Sequence, residues 1–441
     1  MNYEQDIKYA KELIENDELD KGLVLLIEIT NERLNDPLAL FLMALAFIKA
    51  NKLGLAYAIM LRVVELAPQR WEAWNNLGKC LQHKADIPEA EKYFLKSLEI
   101  NPEIGATWSN LSVLEVNRCN PYKAIEYANK AIELMPKTPA GYENRALANL
   151  MLGNFAEGWD DYVYMLGTNK ARKMKAFGPE PEWDGSKDKD VIIYGEQGIG
   201  DEISFASCIP DAIKDSKSVI IECDKRLTGL FSRSFPQAKV YGTRFDELVA
   251  WTDGLKVDAS VAVGTLPRFY RRKKEDFPGT PYLIPDPERR LQWRALFDSL
   301  PGKKVGISWR GGCRHTDYIS RSMTLKDFNP ILSKNGYTFV NLQYDEAPDD
   351  PRVRHWSHGV HTKNYDDTAA MVAELDFVIT VQTAIVHLCG SIGMECWVMI
   401  PKMPRWFYGL EGSTSPWYKS VRYFRQDKNG NWPIQEIANR L

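Results

Sequence analysis

The spacing of apolar positions changes once along the chain, near residue 186. Before that point apolar residues recur at helical intervals, and the pattern itself repeats. Prolines 68, 102 and 136 stand 34 residues apart, each closing a helical stretch. Trp74, Leu77, Gly78 and Ala90 are matched one period later by Trp108, Leu111, Ser112 and Ala124. One period earlier stand Leu40, Ala44 and Ala56, while Tyr142 and Ala146 open a further unit. Small residues let two helices pack closely, and proline ends the second of them. Roughly five units are expected over residues 3–170. Pro37, where position 34 is expected, puts the first unit out of phase.

The order of residue types within this period resembles the tetratricopeptide repeat, a helical hairpin that stacks into a solenoid. Such a solenoid offers a concave groove for a peptide or partner protein, or serves as a rigid spacer or dimerisation element.

After Trp183-Asp184-Gly185-Ser186 the pattern becomes short apolar runs at 191–194, 218–223 and 257–263. A proline-rich, charged stretch from Leu266 to Asp286 follows, then a second series at 304–309, 338–343, 376–381 and 396–400. Strands alternating with helix-like segments predict parallel sheets, here as two Rossmann-like halves across a cleft. The segment Asp376 to Pro401 is the most explicit. An apolar run (Phe377 to Val381) meets the polar turn Gln382-Thr383, then a helix-like stretch from Ala384 to Ile392, then Gly393 and a second run from Cys396 to Ile400. Helix N–H groups beyond a strand's carboxyl end attract anions, so Thr383, Ala384 and His387 are expected to seat a phosphate.

Composition narrows the class. A chain of 441 residues with 44% hydrophobic and 26% charged content is a globular protein of two or three domains. A net charge of -3 argues against a general nucleic-acid binder, and Arg271-Arg272-Lys273-Lys274 beside Glu275 and Asp276 is expected to be a solvated loop. Seven cysteines without a C-x-x-C spacing fit buried thiols in a reducing compartment. The N-terminus lacks an apolar signal region. The most apolar run, Leu38 to Ile48, is about half the ~20 residues a membrane span needs. A cytoplasmic protein without a membrane span is expected.

Candidate chemistry begins with GEQGIGDE, residues 195–202. Gly195, Gly198 and Gly200 permit a tight turn and close backbone approach to a ligand. Their spacing is not the dinucleotide fingerprint, which disfavours a nicotinamide enzyme. Asp201, at the helix start, is either an N-cap or a general base, and Glu196 is the second carboxylate. Arg310 or Arg321 would neutralise a departing phosphate. Gln382 can both donate and accept near the same turn. His355, His358 and His361 have a zinc-like spacing, but Gly359 and charged neighbours indicate a loop, so no metal is expected. Trp406, Phe407, Trp417 and Tyr418 would stack on a base or clasp the last helix against the sheet.

Five blocks occur in order: GEQGIGDE (195–202), VGISWRGG (305–312), RSMTLKDF (321–328), the run 366–401, and SPWYKSVRYFRQ (415–426). Together they resemble the tetratricopeptide-containing branch of the heptosyltransferase-like glycosyltransferases, over nearly the whole chain. The resemblance implies an α plus α/β chain: a solenoid (1–170), an N-terminal acceptor-side half (171–285) and a C-terminal donor-side half (286–441) of a B-type glycosyltransferase. It further implies metal-independent, inverting transfer from a nucleotide sugar to an acceptor protein or glycan, with no cofactor. Asp201 matches the family's proposed base, in a Gly-Asp pair, and Arg321 its phosphate-binding basic position. Gln382 departs from the family's Asp-Thr. The alternative is a non-catalytic scaffold carrying a degenerate transferase-like module.

Overall fold

The computed structural model describes residues 3–82, 87–168, 172–246, 249–312, 320–344, 347–360 and 363–441. The chain divides after Ala148 into two units, Met1–Ala148 and Asn149–Leu441.

The first unit is a stack of helical pairs: α1 (Tyr3–Glu15) with α2 (Leu19–Glu32), and α3 (Pro37–Lys49) with α4 (Leu53–Leu66). Then come α5 (Trp71–Gln82) with α6 (Ile87–Ile100), and α7 (Gly105–Asn117) with α8 (Pro121–Leu134). A fifth pair, α9 (Pro139–Leu152) and α10 (Phe155–Tyr162), runs past the division. First helices start at 3, 37, 71, 105 and 139, and second helices at 19, 53, 87, 121 and 155. The 34-residue period therefore includes the first unit, which the proline count had placed out of phase. Pro37 is a different kind of proline. It opens α3 beneath the N-cap Asp36, as Pro139 opens α9, because an N1 proline loses no helical bond.

One hydrogen bond repeats with the same period. The indoles of Trp74 and Trp108 donate to the carbonyls of Pro68 (2.8 Å) and Pro102 (2.9 Å), and the Tyr142 hydroxyl donates to Pro136 (3.1 Å). Each ties the start of a helix to the proline turn before it. The small positions are steric. A Cβ on Gly78 would lie 2.5 Å from the Phe94 ring, and Ser112, one period on, donates to Ala124 O at 2.7 Å.

The second unit is α/β. Its first sheet contains β1 (Asp190–Tyr194), β2 (Ser218–Glu222), β3 (Lys239–Tyr241) and β4 (Ala259–Ala262). Helices α11 (Ile199–Phe205), α12 (Ile209–Asp215), α13 (Thr228–Ser234) and α14 (Pro267–Tyr270) lie between and after these strands. A longer helix, α15 (Pro287–Asp298), leads to β5 (Lys303–Ile307), α16 (Asn329–Leu332), β6 (Tyr337–Asn341) and β7 (Val353–Arg354). Next come α17 (Ser357–Val360), α18 (Tyr365–Val372), β8 (Phe377–Val381), α19 (Ala384–Ile392) and β9 (Cys396–Ile400). The chain closes with β10 (Val421–Arg425) and α20 (Ile434–Arg440). Both sheets are parallel, in the orders β3-β2-β1-β4 and β10-β9-β8-β5-β6-β7. Their inner strands are buried on both faces, which is why they read as continuous apolar runs. Gly393, at φ +81, ends α19 in the left-handed conformation that glycine adopts without strain.

Three strands escaped the apolar-run pattern. All three are edges, and β3 and β7 are only three and two residues long. The third, β10, alternates with charged Arg422 and Arg425. The basic run is solvated at Arg272, Lys273 and Lys274, but Arg271 departs from the expected loop, being buried against Asp211 (2.8 Å), and Arg272 pairs with Asp160 (2.7 Å). We expect Gly78→Val to destabilise the solenoid by about 1–3 kcal/mol through overpacking against Phe94, read as a lowered urea midpoint.

Candidate functional site

In an open parallel sheet, ligands bind where strand order reverses, because successive loops part there. The second sheet reverses between β5 and β8. The loop after β5 carries Arg310 and Gly311, and the turn after β8 carries Gln382 and Thr383. The two lie against each other: a Cβ on Gly311 would sit 2.4 Å from Gln382 O. Thr383 caps α19, its Oγ1 accepting from Ile385 N–H at 3.1 Å. Gln382 is only 2% exposed, and its Oε1 accepts a long bond from Arg405 N–H (3.5 Å). Its Nε2 is a buried donor with no protein partner. Leaving such a donor unpaired costs roughly 1–3 kcal/mol, so it calls for an acceptor. Arg321 is buried and Arg310 exposed.

The first sheet reverses between β1 and β4. There Glu196, 3% exposed, fills the crevice itself. Its Oε1 accepts from Arg172 Nε (3.2 Å) and from Gly264 N–H (3.1 Å), while Oε2 has no partner. Burial raises its carboxyl, against the pull of Arg172. This is a correction to its place as second base: a buried, arginine-bound carboxylate cannot meet an acceptor hydroxyl. Its charge raises the carboxyl of Asp201.

Asp201 sits in the first turn of α11, where its Oδ2 accepts from Gly198 N–H at 3.1 Å. The capping geometry and the candidate base thus coexist in one side chain. Asp201 keeps part of its surface in solvent, yet protein atoms crowd it. Burial first, and the Glu196 charge second, push its carboxyl up to about 6. Glu202, beside it, was passed over in the sequence. Burial raises it to about 7, against Arg244, which pairs with its Oε1, while Asp224 N–H donates to Oε2 at 3.0 Å. The signal was present as the consecutive pair Asp201-Glu202; Arg172 and Arg244 belong to no motif.

The glycines work differently from expectation. None of Gly195, Gly198 and Gly200 has a positive φ, and each admits a neighbouring protein group. A Cβ on Gly195 would lie 2.5 Å from the Glu202 carboxyl, and one on Gly198 3.1 Å from Asp201 Oδ2. A Cβ on Gly200 would lie 3.1 Å from His387 Cδ2 and 3.3 Å from the Ala384 Cα. Through Gly200, α11 of the first sheet rests on the first turn of α19 of the second. The glycine loop and the α19 N-terminus, about 180 residues apart in sequence, are therefore one place. The phenol of Tyr408 borders it. Burial and Tyr423 raise that phenol well above its usual range, Arg321 pulls it back, and Asp201 raises it further.

His387 stands beside the expected phosphate seat as a neutral ring. Its Nδ1 bonds the Tyr418 hydroxyl (3.3 Å), Phe407 meets its ring edge-on at 4.5 Å, and burial drops it to about 3. A neutral imidazole brings no positive charge to a phosphate. Trp417, Tyr418 and Phe407 are buried in the aromatic cluster around Trp159, so their rings pack rather than stack on a base. His355 bonds Asn341 (2.9 Å), His358 stacks on Trp293 (4.9 Å), and His361 lies outside the described residues. Among the described residues no group of three His, Cys, Asp or Glu is placed to hold a metal. No helix among them is long and apolar enough to cross a membrane.

The tetratricopeptide-repeat family model matches residues 71–104, the pair α5 and α6. The helical third is a tetratricopeptide-repeat solenoid. Among curated proteins the chain is similar to Protein FlbA of Caulobacter vibrioides, 30% identical over 312 residues. That match takes in 65% of this chain, more than the solenoid, and 52% of FlbA, so the chain spans about half its relative's length. Solved structures with a likeness to the chain include MamA, 16% identical over 35% of this chain and 91% of its own, with a TM-score of 0.32. Another is a thermophilic tetratricopeptide protein of Thermus thermophilus, 18% identical over 36% and 88%, at 0.33. A third is PilF of Pseudomonas aeruginosa, 17% identical over 38% and 78%, at 0.35. These likenesses cover little more than a third of the chain.

The raised carboxyl of Asp201 has a stability consequence with a definite sign. Unfolded, it titrates near 3.8; folded, near 6. The folded state holds the proton more tightly, so the contribution is full below 3.8 and lost as pH rises through 6. Asp201→Asn keeps an acceptor for Gly198 N–H and never ionises. It is expected to match the wild type at pH 4 and to melt higher at pH 8 by calorimetry.

Proposed function

We propose that the α/β unit is an inverting glycosyltransferase of the two-half B type, acting on a nucleotide-sugar donor and an acceptor hydroxyl. The observation that carries this reading is the contact of Gly200 with Ala384 and His387, which puts Asp201 beside the N-terminus of α19. The partnerless Gln382 Nε2 supports it, as a buried donor that a donor-substrate oxygen would satisfy.

In this reading the α19 N–H groups and Arg321 take the diphosphate, a task that suits a helix N-terminus and a guanidinium without a metal. Asp201, with Oδ2 held by Gly198, takes the acceptor hydroxyl's proton on Oδ1. The acceptor oxygen bonds to the anomeric carbon from the face opposite the nucleotide. The bond from that carbon to the diphosphate oxygen breaks, and its electron pair leaves with the nucleoside diphosphate, where Arg321 meets the growing charge. Gln382 replaces a carboxylate by a neutral amide, which favours a donor oxygen over a donor hydroxyl as its partner. The solenoid recruits the acceptor protein or glycan, and the whole acts in the cytoplasm.

The test is transfer or donor hydrolysis across UDP-, GDP-, ADP- and dTDP-sugars. Asp201→Asn is expected to lower kcat roughly 10²–10⁴-fold, the usual worth of a general base. The acidic limb of kcat/KM should fall near pH 6, since the base works only when ionised. Arg321→Ala should weaken donor binding by calorimetry. No turnover and no nucleotide binding would remove the reading. The departure at Gln382 favours the second reading, a scaffold that binds a nucleotide without transferring from it; there Asp201→Asn leaves binding and biological activity intact.

A further inference from the structure

The solenoid carries a second candidate site, away from the groove usually considered for such repeats. Helices α1 and α2 each carry two apolar stripes. One stripe, Ile7, Ala10 and Ile14 with Leu26 and Ile29, packs into a core with Ala39, Leu42 and Ala46 of α3. The other forms an open groove of about 580 Å³. Tyr9 and Val24, 55% and 58% exposed, form its apolar surface over the buried Leu13 and over Leu25, which also packs against that core. Asp6, Asp20 and Glu28 stand along its rim.

The repeat itself says what shape fits such a face. In later units the first helix is covered by the second helix before it: α2 lies on α3, α4 on α5, and α6 on α7. Met43, one 34-residue period after Tyr9, packs against the core of the preceding pair. The groove on α1 and α2 is thus the seat of an α-helix. Charge says which helix. No cation among the described residues pairs with Asp6, Asp20 or Glu28, and Asp6 Oδ2 is buried without a partner. The lysine on the rim, Lys21, is already paired with Glu18 at 2.5 Å. A second copy of the same face would set these carboxylates against their like, which costs rather than stabilises.

We propose that the α1–α2 groove docks an amphipathic helix of a partner protein, with an apolar stripe for Tyr9, Leu13, Val24 and Leu25 and lysines or arginines for the rim. Apolar anchors would carry the affinity and the rim charges the choice of partner.

The probe is a pair of labelled helical peptides sharing one leucine stripe, flanked by lysines in one and by glutamates in the other, titrated into the full chain by fluorescence anisotropy. The lysine peptide is expected to bind and the glutamate peptide not to. Val24→Glu, and separately the exposed pair Asp20→Lys with Glu28→Lys, should each weaken binding at least tenfold. Reversing the exposed acids Glu99, Glu103 and Glu133 elsewhere on the solenoid should leave it unchanged. Equal loss on reversing those distant acids would overturn the proposal, as would equal binding of both peptides or no binding at all. A dimer in sedimentation that Val24→Glu disperses would assign the face to self-association and overturn it too.

Discussion

Helix α11 reaches α19 because residue 200 has no side chain. Its Cα stands where even a methyl group would press on Ala384 and His387. Everything proposed for the α/β unit follows from that closeness, since it places an ionisable carboxylate from one parallel sheet beside the helix terminus of the other. Gly195 serves the same end one turn earlier, by letting the Glu202 carboxylate tuck beneath the loop and hold Arg244 and the backbone of Asp224. Removing side chains makes room for charges, and the charges then fix the loop that carries Asp201.

That arrangement stores unfavourable energy as well as order. Glu196 and Glu202 are buried carboxylates held by arginines, and Glu196 keeps one oxygen unpaired. Buried ion pairs of this kind rarely add net stability, because desolvation offsets attraction. The Glu196 charge, after burial itself, makes Asp201 hold its proton more tightly, while Arg244 pulls the other way. A stability cost concentrated around one partly buried carboxylate is a pattern common at sites where proton affinity matters.

The solenoid is built on the opposite logic. Its units repeat one local bond, from an aromatic donor to the carbonyl of a proline, and one steric notch at Gly78 and its equivalents. Each unit needs only its neighbours, so a face that neighbours do not cover is visible as an exposed apolar groove.

The sequence by itself determined the 34-residue helical period, the parallel strands and the strand–turn–helix from Phe377 to Ile392, whose helix spans the expected residues. These are set by spacing along the chain, through side-chain periodicity and proline, which act locally. It also singled out Gly200, Asp201, Gln382 and Thr383. It misjudged Glu196 and Arg271, did not show that His387 is neutral, and missed β3, β7, β10, Glu202 and Arg172. For these side chains the deciding fact is a partner far away: Arg172 for Glu196, Phe407 and Tyr418 for His387, Asp211 for Arg271. Only the tertiary structure decided those, because burial and charge pairing depend on what the fold brings within a few ångströms, and no spacing along the chain records it.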